Sequence, residues 1–140
     1  MLVSACLLGL RCRYDGKILG IDISEQYPGC CLIPVCPEQL GGLPTPREPS
    51  EIAGGDGGDV LQDRASVMGK ETGTDYAENF IRGAYETLKA GGISGCRKAV
   101  LKADSPSCGY KRIYCKGKLI EGSGVTAALL AQNGFEIITI

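Results

Sequence analysis

Residues 31–46 read CLIPVCPEQLGGLPTP, and the reading of this stretch decides the fold. A short apolar run bounded by turn formers suits a buried strand, so residues 31–36 are expected to be one. Pro34 has no amide to donate and puts that strand at an end or an edge of its ladder. The strand then stops in a thiol, Cys36, with a carboxylate two residues on, Glu38, and a stiff Pro/Gly-rich segment after it. An ordinary surface turn needs neither group.

Working outward, the opening run MLVSACLLG is apolar enough for a strand buried on both faces. RCRYDGK follows as a loop, with Asp15-Gly16 as its turn signal. Residues 39–59 show no helical period and read as an extended loop with room for a short hairpin, a length that in a compact domain is either disordered or functional. Within it GGDGGD (54–59) lacks calcium-loop spacing and reads as a hairpin turn.

From Thr74 the pattern changes. TDYAENFIRGAYETLKAGG spaces Tyr76, Ala77, Phe80, Ile81, Ala84, Tyr85 and Leu88 as an amphipathic helix, with Thr74 or Asp75 as N-cap and Gly91-Gly92 closing it. KAVLKA is a strand that breaks into DSPSCG. GSGVTAALLAQNG is a turn and a short helix from about residue 125 to Asn133-Gly134, and FEIITI is a last strand. Strands alternating with helices predict a single α/β domain over residues 1–140, its mostly parallel sheet flanked by helices in a Rossmann-like three-layer arrangement.

Composition narrows the chemistry. Hydrophobic residues at 44% and charged residues at 22% describe a globular chain and not a disordered one. Fifteen basic against sixteen acidic residues leave a net charge of -1, which argues against a stable complex with nucleic acid. No stretch approaches the ~18 apolar residues of a membrane span, and the start lacks the basic and apolar regions of a signal peptide. A cytoplasmic protein is expected. There is no histidine, so proton transfer must fall to carboxylates, Lys, Tyr, Cys or the backbone.

Eight cysteines remain to be explained. In a reducing cytosol, thiols that matter are metal ligands or nucleophiles and the others are small buried hydrophobes. Cys12, Cys30, Cys31, Cys96 and Cys115 fit the second description. Cys6, Cys36 and Cys108 share a topological position at or just beyond the carboxyl ends of three strands, where open parallel sheets bind ligands. SPSCG surrounds Cys108 with two hydroxyls, a proline and a glycine, a loop able to aim backbone N–H groups at a sulfur anion. No C-x2-C pair marks a zinc module, and Cys31 and Cys36 begin a plant-type ferredoxin spacing that Gln39 ends. Three separated thiolates suit an iron–sulfur cube with one iron left open.

VSACLLG with RYDG, PVCPEQLGGLPTPR, GGDGGDVL, LKADSPSCG and GSGVTAALL, in this order across nearly the whole chain, resemble the thiouracil desulfidase family, long catalogued as a domain of unknown function. The resemblance implies a [4Fe-4S] cluster held by Cys6, Cys36 and Cys108, one iron without a protein ligand, and removal of sulfur from thiolated uracils to give uracil and sulfide. It implies Glu38 as the catalytic carboxylate and Ser105, ahead of Ser107, as the hydroxyl that assists at the substrate. Arg13 and Tyr14 are further substrate candidates, for an anion and a ring, although RYDG is equally a plain turn. Beside the family pattern the segment from Cys12 to Cys30 is short for a full helix between the first two strands. The substrate is expected to be a small thiolated pyrimidine, with 2-thiouracil, 4-thiouracil and their nucleosides suiting the balanced charge better than tRNA.

Two other readings stay open at this point. One is a structural or docking zinc with a fourth ligand from Cys12 or Cys115. The other is a sulfur-transfer enzyme using Cys108 as a persulfide-forming thiolate.

Overall fold

The computed structural model describes residues 1–140. The chain runs β1 (Leu2–Ser4), β2 (Ile33–Val35), α1 (Pro37–Leu40), β3 (Ser50–Ala53), α2 (Gly57–Leu61), β4 (Ser66–Gly69), α3 (Ala77–Ile93), β5 (Lys98–Leu101), β6 (Arg112–Cys115), β7 (Lys118–Glu121), α4 (Val125–Gln132) and β8 (Glu136–Thr139), with one-turn 3-10 helices at Ala5–Leu7 and Ser24–Gln26. Four strands form a parallel sheet in the order β2-β1-β5-β8. This is the expected α/β architecture. From the central strand β1 the chain leaves first towards β2 and later returns as β5 on the other side, so the loops after β1 and β5 diverge and open a crevice at their carboxyl ends.

Side chains alternate across the sheet, as its pleat requires. Leu2, Ala99 and Leu101 belong to one core with Ala127, Leu130 and Phe135, under α3 and α4. Val3 and Val100 belong to another with Leu7, Cys12 and Ile23. That second layer is irregular chain with two 3-10 turns and no α-helix, in line with the shortness of the segment between β1 and β2. Its glycines at positions 16 and 20 sit at φ 70° and 79°, where a helix cannot continue.

The remaining elements depart from the sequence pattern in instructive ways. The first strand ends at Ser4, because the chain coils into the 3-10 turn that carries Cys6. GGDGGD is no hairpin turn. Asp56 caps α2 by accepting from the Gly58 and Asp59 amides (2.9 and 3.2 Å), while Asp59 accepts from the Asp56 amide (3.0 Å). The hairpin expected nearby is formed by β3 and β4, with α2 inserted between them. The Asp75 carboxylate takes the Ala77 amide at the start of α3 (2.8 Å). At the other end the helix runs through Gly91-Gly92 to Ile93. Gly91 is there for packing, since a methyl group on it would stand 2.8 Å from the Phe135 ring and 3.1 Å from Leu2. Residues 112–121 close as a second hairpin, its two-residue turn at Lys116 and Gly117 having positive φ at both (51° and 73°).

One helix contact governs the site. α1 lies against α3 backbone to backbone: a methyl on Gly83 would overlap the Pro37 carbonyl, and one on Gly41 would overlap that of Asn79. The Asn79 side-chain amide closes the contact by donating to the Gly41 carbonyl (2.9 Å). This seats Cys36 and Glu38, at the N-terminal end of α1, on the rigid body of α3. Gly83→Ala is expected to destabilise the protein by about 1–3 kcal/mol through overpacking. A fall in the thermal midpoint of unfolding checks it.

Candidate active site

A cavity of about 600 Å³ opens at the carboxyl ends of β1, β2 and β5, and Cys6, Cys12, Cys36 and Cys108 all line it. Cys6 comes from the 3-10 turn after β1, Cys36 from the end of β2 and Cys108 from the loop after β5. The three sequence-predicted thiols are therefore brought together. Cys12, read as a packing residue, is buried yet reaches the same cavity. No three thiol or carboxylate groups close on a single point as a lone metal ion demands.

The Cys108 loop owes its shape to α4. At the start of that helix the Val125 amide donates to the Pro106 carbonyl (3.0 Å), and the Thr126 and Ala127 amides to that of Ser107 (2.9 and 3.2 Å). The Ser105 hydroxyl accepts from the amides of Ser107 and Cys108, both at 3.1 Å. These N–H groups thus turn inward to Ser105 and do not aim at the sulfur, contrary to the expectation from SPSCG. Ser105 remains on the cavity wall. Ser107 does not: its hydroxyl is buried against that of Thr126 (3.0 Å), beneath the loop.

The thiols differ in their surroundings. The neighbouring Cys12 thiol holds the Cys6 and Cys36 thiols below their ordinary titration range, Cys36 at about 7, and is itself pushed up by them. The Cys36 thiol also faces the Cys12 carbonyl at 3.7 Å. Burial pushes Cys108 up to about 12, against a hydrogen bond from the Ser4 hydroxyl that acts the other way. A thiol so buried is a poor free nucleophile. Ser4 also accepts from the Lys102 amide (3.0 Å), stitching β1 to the loop after β5.

Glu38 lines the cavity with its Oε2 held by Arg47 Nε at 2.5 Å. Arg13 and Tyr14 line it too, but Arg13 is engaged by Asp15 through two hydrogen bonds (3.2 and 3.1 Å) and lies 5.9 Å from the Tyr14 ring centroid. Cys30, Cys31, Cys96 and Cys115 stay outside the cavity. Cys96 packs in the core, and Cys30 and Cys31 are exposed. Sequence reasoning missed Glu48, Glu51 and Lys70, which also line the cavity, because their segment had no periodic signal.

The family model for 2-thiouracil desulfurase matches residues 1–140. The chain belongs to that family. It is similar to the uncharacterized protein YbbK of Bacillus subtilis, 43% identical over 143 residues, which span 99% of this chain and 94% of that one. It is also similar to a solved structure described as the [4Fe-4S]-dependent thiouracil desulfidase TudS, with a TM-score of 0.82 and 38% identity, covering 99% of this chain and 89% of that one. No helix here is long and apolar enough to cross a membrane.

Glu48 offers a test of the cavity's construction. It accepts from the Thr72 hydroxyl and amide, the Tyr76 hydroxyl and the Glu71 amide, and these bonds hold its carboxyl at about 2 against an ordinary 4.5. A carboxyl lowered by folding contributes stability above its unfolded value, and that contribution is lost as pH falls through the folded one. Melting curves between pH 4.5 and 2 should therefore fall steeply for wild type. Glu48→Gln should start lower at neutral pH and lose part of that slope.

Proposed function

We propose that this protein is a [4Fe-4S]-dependent desulfidase that hydrolyses thiolated uracil (2-thiouracil, 4-thiouracil or a related nucleoside) to uracil and sulfide, with Cys6, Cys36 and Cys108 holding the cluster. One observation carries the reading: three thiols from three different strand ends line one cavity beside a carboxylate. The donors suit the group, being three soft sulfurs that line one cavity. Family membership and the likeness to a [4Fe-4S]-dependent desulfidase support the same assignment.

When bound, the cluster would supply an iron without a protein ligand, a Lewis acid for the soft thiocarbonyl sulfur. The chain's own groups would do the rest. Glu38 Oε1 makes no hydrogen bond within the protein, and can take a proton from a water attacking the ring carbon and give it to the departing sulfur, then pass on the second proton in the same way as the carbonyl forms. The Ser105 hydroxyl, its oxygen already fixed by two amides, keeps its proton to donate to the pyrimidine edge. Tyr14 can stack on the ring. The products balance as uracil and hydrogen sulfide from the thiolated base and one water. The persulfide reading has little support with Cys108 buried as it is.

Anaerobic reconstitution tests the proposal. Wild type should take up about four iron and four sulfide per chain. Cys36→Ala should lose most of both, whereas Cys12→Ser should retain them. Glu38→Gln should keep the cluster but lower kcat on 2-thiouracil by roughly 10²–10⁴-fold, as expected for a general base. Zinc in place of iron, or no uptake at all, would sink the proposal.

A further inference from the structure

Arg47 is the most fully engaged side chain on the cavity wall. Its side chain is 8% exposed, and the guanidinium spends every nitrogen on the protein. Nε donates to Glu38 Oε2 (2.5 Å), Nη1 to the Pro44 carbonyl (3.2 Å) and the Thr45 hydroxyl (3.1 Å), and Nη2 to the Cys12 carbonyl (2.9 Å). Only one contact goes to the carboxylate. The others fix the guanidinium plane independently of Glu38, so the carboxylate is tied to an anchor that does not move with it.

An Arg meant only to cancel charge commonly meets a carboxylate in a two-pronged fork. Here the fork is turned aside, so Oε2 is taken and Oε1 makes no hydrogen bond within the protein, on a residue that lines the cavity. The Cys12 carbonyl that receives Nη2 also faces the Cys36 thiol (3.7 Å). Glu38 is thereby referred to Cys36 by two routes, through the chain across Pro37 and through space across Arg47 and Cys12.

We propose that Arg47 is a positioning residue: it clamps one oxygen of Glu38 and presents the other to the substrate at a fixed distance from the Cys36 sulfur. The idea rests on the desulfidase reading above and names the residue on which the reach of its carboxylate depends. Misplacement of a catalytic group by about 1 Å can cost 10²-fold. Lysine at 47 keeps a positive charge but cannot satisfy four partners from one planar group.

The test uses reconstituted full-length protein, with 2-thiouracil as the probe. Arg47→Lys should bind iron and sulfide as wild type does and leave KM near its wild-type value, while kcat falls roughly 10–100-fold. In a Glu38→Gln background the same change should cost less than about 2-fold, because a residue acting through Glu38 has nothing left to position. In the iron-free protein, thermal unfolding of Glu38→Gln, Arg47→Met and the double variant should be non-additive, which reports the clamp without any turnover. If Arg47→Lys does not fold, Thr45→Val removes one guanidinium partner and no charge, and should lower kcat a few-fold at unchanged KM.

Wild-type kcat in Arg47→Lys, or an equal loss with and without Glu38, overturns the positioning role and leaves the desulfidase reading intact. Wild type that loads its cluster yet leaves 2-thiouracil, 4-thiouracil and their nucleosides unchanged overturns the desulfidase reading itself, and the role of Arg47 falls with it.

Discussion

Strand β1 pairs in parallel with a neighbour on each side, β2 and β5, and everything at the cavity hangs on that arrangement. Parallel pairing puts the carboxyl ends of all three strands at one edge, so whatever residues follow them must meet there. It also forbids short turns, since a chain leaving a parallel strand must cross back over the sheet. The thiols therefore arrive on three loops that are distant in sequence and adjacent in space.

Such loops are useful only if each is held still, and each is held by a different device. The Cys6 turn is a 3-10 coil buried under Val3 and Val100. The Cys36 corner is seated on α3 by contacts that only glycine at 41 and 83 permits. The Cys108 loop gives its Pro106 and Ser107 carbonyls to the first amides of α4. In that last device the helix spends its free N-terminal donors on holding a loop and not on a ligand. It explains why SPSCG is rigid without directing its own amides at the sulfur.

The polar residues of the cavity divide by the work they do. Glu48 has its bonding capacity turned to the protein, through Thr72 and Tyr76, as Ser107 does through Thr126 beneath the wall. Arg13 is likewise occupied by Asp15. Glu38 and Ser105 each keep one reactive feature free, an oxygen lone pair and a hydroxyl proton, while their other contacts hold them in place. A group fixed on one side and open on the other is what proton transfer at a bound ring requires.

Local pattern was enough to read the alternation of strands and helices, the span of α4, and the convergence of Cys6, Cys36 and Cys108, because each depends on periodicity or on strand ends that neighbouring residues mark. Cys12 was legible only as packing. Its place among the other thiols comes from the fold of the irregular layer between β1 and β2, which carries no period. The pairing of Glu38 with Arg47 likewise joins residues across a Pro/Gly-rich segment whose path no short-range rule sets. The sequence by itself determined which residues could do chemistry and on which strand ends they stand. Tertiary structure alone decided which of them face the cavity and which are used up within the protein, because hydrogen bonds between distant loops depend on where the sheet brings those loops together.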